Sequence, residues 1–184
     1  MTASFLCWKI ARVCCWVATA AGLSRLTAER AVSHHTATTS RSRIALSHDF
    51  VKTIFEDRNG VLWVGSKGGL NRFDRATQRF TVWRHNPQDL ASLSHDQVNA
   101  IWEDRKGTLW VATQDGLDQM DRSRGTFTTL TRGDGLPDNA IQSILEDDQG
   151  SLWLGTHNGL SQFRPDDQDR SATTPNRMAC RAIC

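Results

Sequence analysis

An eight-residue phrase occurs three times in this chain, as Glu56-Asp57-Arg58-Asn59-Gly60-Val61-Leu62-Trp63, Glu103-Asp104-Arg105-Lys106-Gly107-Thr108-Leu109-Trp110 and Glu146-Asp147-Asp148-Gln149-Gly150-Ser151-Leu152-Trp153. It sits inside a longer copy. Residues 46–83 laid on 93–130 without a gap agree at 19 of 38 positions, and a shorter third copy runs from Leu136 to Phe163. The three tryptophans fall 47 and then 43 residues apart. Tetratricopeptide and ankyrin repeats recur at about 33–34 residues, whereas four-stranded propeller blades recur at about 40–50. The period therefore points to blades, small antiparallel sheets that bury their faces only by stacking on one another.

Each copy reads as strand, tight turn, strand. The first strand is expected over residues 50–55, 97–102 and 140–145. Reading every second position puts Val51, Thr53 and Phe55 on one face and Ile54 on the other, with Ile101 and Ile144 in the same place as Ile54. The Asp-x-x-Gly step suits a hairpin turn, because the carboxylate caps backbone N–H groups and glycine accepts a positive φ. Its carboxylates lack the alternating spacing of an EF-hand calcium loop. The second strand, Leu62-Trp63-Val64 and its two counterparts, is continuously apolar, as in a strand covered on both faces, so its tryptophan is assigned to the core. Gly65, Ala112 and Gly155 follow at once, and their small size is expected to admit the next blade's tryptophan. A Gly-Leu step opens the third strand, which ends at Phe73, Met120 or Phe163. A fourth is expected over 80–83 and 127–131 and is missing from the third copy. The expected fold is thus all-β: a partial β-propeller of 11 strands, with two complete four-stranded antiparallel blades (44–83 and 93–131) and three strands of another (136–164).

The flanks read differently. Lys9 and Arg12 precede an apolar run, Val13 to Leu23, that holds an Ala18-Thr19-Ala20 triplet suited to cleavage, so residues 1–23 are similar to a secretory signal. The run is shorter than the roughly 20 residues that span a bilayer, and no stable membrane span is expected. Residues 24–43 read as a linker and residues 165–184 as a disordered tail, giving a flexible leader and a flexible C-terminal segment around the repeats. Cys180 and Cys184 have no further Cys or His at ligand spacing.

Composition narrows the function. The net charge is only +2, with Lys and Arg scattered through the repeats, which argues against nucleic acid or a membrane surface as partner. The chain has no tyrosine, so a sialidase-type nucleophile is absent, and no Gly-x-Ser-x-Gly or His-Glu-x-x-His signature occurs. No catalytic residue, metal or cofactor is expected. His48, His95 and His157 do not occupy equivalent places in the repeat, which speaks against a shared metal centre.

Propeller loops leading into the innermost strand share an end with those joining the second and third strands. Here the leading loops carry His48-Asp49, His95-Asp96 and Asp138-Asn139, and the mid-blade loops carry Lys67, Gln114-Asp115 and His157-Asn158. Mixed donors and acceptors on a rigid scaffold suit a neutral polyhydroxylated ligand such as an oligosaccharide. The alternative for Ser47, Ser94, Asp49 and Asp96 is that they satisfy backbone groups of their own turns.

The run from Leu93-Ser94-His95-Asp96 through Trp110-Val111-Ala112 to Gly116-Leu117, matched in phase by the other two copies, resembles the two-component regulator propeller repeat over about residues 44–164. That resemblance implies a periplasmic sensor propeller, commonly seven-bladed, upstream of a membrane helix and a histidine kinase or diguanylate cyclase, with polysaccharide fragments among the ligands sensed. The expectation is a non-catalytic sensory segment of a two-component signal transduction protein, a fragment without its transmitter. It would be exported or periplasmic, or cytoplasmic if the leader is not a signal. Eleven strands cannot close a seven-bladed ring, so open blade faces and self-association are expected as well. A propeller enzyme of the streptogramin-lyase type and a protein-interaction scaffold are the alternatives.

Overall fold

The structure is a computed structural model that describes residues 6–10, 14–19, 22–27, 46–165 and 181–183. Apart from a single 3-10 turn at Arg132–Asp134, every regular element among them is a β-strand. Strands β1 (Leu6–Ile10), β2 (Cys14–Thr19) and β3 (Gly22–Thr27) form a three-stranded antiparallel sheet in chain order. The first blade holds β4 (Val51–Glu56), β5 (Leu62–Ser66), β6 (Gly69–Asp74) and β7 (Arg79–Trp83). The second holds β8 (Val98–Glu103), β9 (Leu109–Thr113), β10 (Leu117–Asp121) and β11 (Thr126–Leu130). The third holds β12 (Ile141–Glu146), β13 (Leu152–Thr156) and β14 (Gly159–Phe163), joined by β15 (Arg181–Ile183).

The repeats thus supply the eleven strands expected of them, and the described parts of the flanks add four more. Residues 6–10, 14–19 and 22–27 are strand, so the linker expected over 24–43 begins inside β3; its residues from 28 to 43 lie outside the described residues. The tail expected to stay unpaired contributes β15, which pairs Leu160 with Ile183 and takes the place of the fourth strand that the third copy lacks. An open strand edge offers a full row of backbone donors and acceptors, which three residues of any apolar pattern can pair. Nothing periodic in Arg181-Ala182-Ile183 announces this.

The recurring phrase is a clamp. Asp57 Oδ1 accepts the backbone N–H of Asn59 (3.0 Å) and Val61 (2.9 Å), while Oδ2 accepts the indole N–H of Trp63 (2.9 Å). Asp104 does the same for Lys106, Thr108 and Trp110, and Asp147 for Gln149, Ser151 and Trp153. Gly60, Gly107 and Gly150 hold φ of 75°, 85° and 81°, which completes each turn. One carboxylate therefore closes the hairpin and fixes the rotamer of the tryptophan in the next strand. The expected turn is present, and its bond to the core tryptophan is a further finding.

Two details of the expected packing change. A β-bulge between Val51 and Thr53, repeated between Ile141 and Ser143, shifts the strand register by one. The extra residue turns Val51 onto the buried side with Ile54, so the simple alternation fails at the strand's start. At Gly65 and Gly155 the atoms nearest the missing Cβ are not those of a tryptophan. A Cβ on Gly65 would meet Thr53 Cγ2 at 2.5 Å and Val98 Cγ1 at 2.6 Å, and one on Gly155 would meet Ser143 Oγ.

The first blade has its own cluster of Leu46, Val51, Ile54, Leu62, Val64 and Phe73, with Phe80 against it. The second and third share one. Trp110, Leu117 and Leu130 pack there with Ile141, Ile144, Leu154 and Phe163, and Trp110 meets Phe163 edge-on at 5.5 Å. Asn99 crosses between these two sheets by donating to the Ile141 carbonyl (2.7 Å). Among the described residues, Leu160 of the third blade is 45% exposed, whereas its counterparts Leu70 and Leu117 are completely buried.

Candidate functional site

The loop end of each blade is built from small hydroxyls in fixed places. Ser66, Thr113 and Thr156 end the second strand and turn back into the mid-blade loop. Each accepts a backbone N–H two residues on, from Gly68, Asp115 and Asn158 (3.1 Å each), and donates to the carbonyl of Gly69, Gly116 or Gly159. The leading loop docks on the same hydroxyl, Ser47 Oγ on Ser66 Oγ at 2.8 Å and Ser94 Oγ on Thr113 Oγ1 at 2.6 Å. Asn71 accepts from the Ser47 N–H, and Asp118 in the equivalent place accepts from the Ser94 N–H. Ser47 and Ser94 therefore serve their own loops.

Asp118 is fully buried and also takes hydrogen bonds from Ser94 Oγ (2.7 Å) and Thr129 Oγ1 (2.6 Å). Burial raises its carboxyl above the usual aspartate range, while those hydroxyls pull the other way. This residue, its first-blade counterpart Asn71 and the hydroxyls Thr113 and Thr156 were not among the expected site residues. The signal for them is a column of Ser or Thr at one phase of the repeat, visible once the copies are stacked.

In the first blade, His48 Nδ1 accepts from the Phe50 N–H (2.9 Å) and the Lys67 ammonium lies 4.5 Å from the Phe50 ring centre, so His48 and Lys67 meet through one exposed aromatic ring. Lys52 is held below the ordinary lysine range, first by burial and then by the charge of Lys67. Asp49 is half-buried beside them.

The second and third blades are knit together at this end. Asn139 Nδ2 donates to Asp115 Oδ1 (2.9 Å), and its Oδ1 accepts from the Arg132 N–H (2.8 Å). The turn at Arg132–Asp134 that positions Arg132 is itself a capping box, with Thr131 and Asp134 satisfying each other's backbone. Asp138 accepts weakly from the Ala140 N–H (3.3 Å). His157 and Asn158 are exposed on the next mid-blade loop, and Gln114 and His95 are half-buried. The expected pair Asp115 and Asn139 is thus brought into contact, whereas Asp138 is used by its own turn. At the opposite end, the Asp-x-x-Gly turns of the same two blades enclose about 210 Å³ lined by Asp104, Arg105, Glu146 and Asp148, where Arg105 pairs with Asp148 (3.3 Å).

The family described as two component regulator propeller matches at residues 45–68, 92–115 and 135–158, from the leading loop to the mid-blade loop of each copy. The three copies are thus each similar to the two component regulator propeller repeat. Over 44 residues it is 48% identical to histidine kinase P4 of Formosa agariphila, a stretch that is 24% of this chain and 3% of that protein. Among solved structures it is similar to an extracellular domain described as that of a hybrid two component system of B. thetaiotaomicron, with a TM-score of 0.81, 23% identity and 97% of this chain covered. A second extracellular domain from that organism, described as that of a one component system, gives 0.81, 22% and 98%. PorZ, a surface component of the type-IX secretion system of Porphyromonas gingivalis, gives 0.66, 22% and 88%. The chain spans 24%, 25% and 26% of these three structures. The structural likeness concerns the fold, a β-propeller type of repeat, and the family match concerns the three repeated segments.

Proposed function

We propose that these repeats form a non-catalytic, extracytoplasmic sensing segment whose loop end on the second and third blades binds a neutral polyhydroxylated ligand of the oligosaccharide class. The observation that carries this is the Asp115–Asn139–Arg132 link. It holds two loops of different blades in one fixed arrangement, and His157 and Asn158 are exposed on the mid-blade loop of the third blade. Binding sites of this kind gain affinity because their polar groups are already oriented and lose little freedom on association. Two of the similar solved domains are extracellular parts of signalling systems, which supports a location outside the cytoplasm. The chain is read as part of a longer sensor whose output module lies elsewhere.

A thermal-shift screen of the full chain against neutral oligosaccharides tests this reading. A glycan that raises the melting temperature should lose most of that effect in Asn139→Ala, which removes both arms of the link. If no glycan shifts the transition, or Asn139→Ala leaves the shift intact, the proposed site is wrong. Turnover of the glycan would instead favour an enzyme.

A further inference from the structure

Residues 8–25 match the repeat at the same phase. Trp16 stands 47 residues before Trp63, the spacing that separates Trp63 from Trp110. At that offset Trp16-Val17-Ala18-Thr19-Ala20-Ala21-Gly22-Leu23 agrees with Trp110-Val111-Ala112-Thr113-Gln114-Asp115-Gly116-Leu117 at six of eight positions. Trp8 falls on Trp102 and Arg25 on Arg72. We propose that the N-terminal segment is a degenerate fourth copy of the repeat, a blade retained in the folded domain as the intramolecular partner of the first blade, rather than a leader removed on export.

Strand pairing supports this independently of residue identity. In β1–β2, Trp8 faces Trp16, as Phe55 faces Trp63 and Leu145 faces Trp153. In β2–β3, Thr19 faces Gly22 and Ala18 faces Leu23, the pairing of Ser66 with Gly69 and Gly65 with Leu70. The neighbours also correspond. Strand β2 lies against β4, the first strand of the following blade, as β9 lies against β12. A one-residue slip would reverse every side chain between faces, so agreement in register across three strands is a demanding coincidence.

The copy is hard to see because Ile10 and Val13 stand where the other copies have the clamping aspartate and the turn glycine. The apolar run that resembles a signal core is then the apolar second strand that every blade has, continued into the Gly-Leu step of the third. At the mid-blade position this copy has Ala20-Ala21 where the others have Lys67-Gly68, Gln114-Asp115 and His157-Asn158. It keeps the packing residues and the loop hydroxyl, Thr19, and drops the polar pair, so its task is to pack rather than to recognise.

Hydrogen exchange of the full chain, read by mass spectrometry, decides between the two. The amides of Leu6–Ile10, Cys14–Thr19 and Gly22–Thr27 are expected to be protected in the native protein, as those of β4 to β6 are. Trp16→Ala should raise exchange in β1–β3 and in β4 together, while the conservative Trp16→Phe keeps most of the protection. Exchange at free-peptide rates over residues 6–27 while β4–β6 stay protected would overturn the proposal. So would recovery of folded protein cleaved after Ala18 or Ala20 with β4–β6 unchanged.

Discussion

Asp104 binds three N–H groups with one carboxylate, two on its turn and one on the Trp110 indole, and it is buried while doing so. Hydrogen bonds to a charged group contribute about 1.5–3 kcal/mol, so Asp104→Ala is expected to cost about 3 kcal/mol, read as a lower midpoint in urea denaturation. Asp118 behaves differently. Its folded-state pKa is raised by burial, so the folded chain holds the proton more tightly than the unfolded one. Its favourable contribution is complete below the unfolded aspartate value of about 3.9 and is lost as pH rises through the folded value. Asp118→Asn should remove that loss and leave the chain at least as stable as wild type at neutral pH, since Asn71 already fills the same place in the first blade by donating to the Val64 carbonyl. Denaturation curves at several pH values between 4 and 8 check this. The Asp-x-x-Gly turn was legible in the sequence because a turn is local. The indole bond and the burial of Asp118 were not, because each depends on what another strand brings alongside.

At the scale of the strand, the same residue carries different weight in different copies. Leu117 and Leu160 hold equivalent positions, yet Leu117 is covered and Leu160 is 45% exposed. Leu117→Ala is expected to cost about 2–5 kcal/mol, the range for a buried leucine, whereas Leu160→Ala should change stability by less than about 1 kcal/mol. Chemical denaturation of the two variants separates them. The strands themselves were readable to within two residues, since Leu62-Trp63-Val64 and its counterparts are apolar without interruption and bounded by turn residues. The bulge at the start of β4 was not readable: an extra residue leaves no mark in an alternating pattern except the misplacement of Val51.

Over the whole molecule, the second and third blades share one apolar cluster, in which Ile144 of β12 packs with Trp110 and Leu117 of the preceding blade. Ile144→Ala should therefore weaken both blades, lowering hydrogen-exchange protection in β9 and β10 as well as in β12 and β13. Loss confined to the third blade would show that the cluster is not a cooperative unit. Of the candidate site, the sequence showed which loops are polar and at which phase they recur, and it named both Asp115 and Asn139. It could not show that these two touch, because they lie 24 positions apart on different blades. The period of the repeat, its turn chemistry and its recurring tryptophans are local properties of the chain and follow from residue type and spacing alone. Which polar groups are buried, which loops meet, which face of a blade is covered, and that Arg181–Ile183 completes the third sheet were decided only by the tertiary structure. Burial and pairing are properties of neighbours, and neighbours far apart in the chain are chosen by folding.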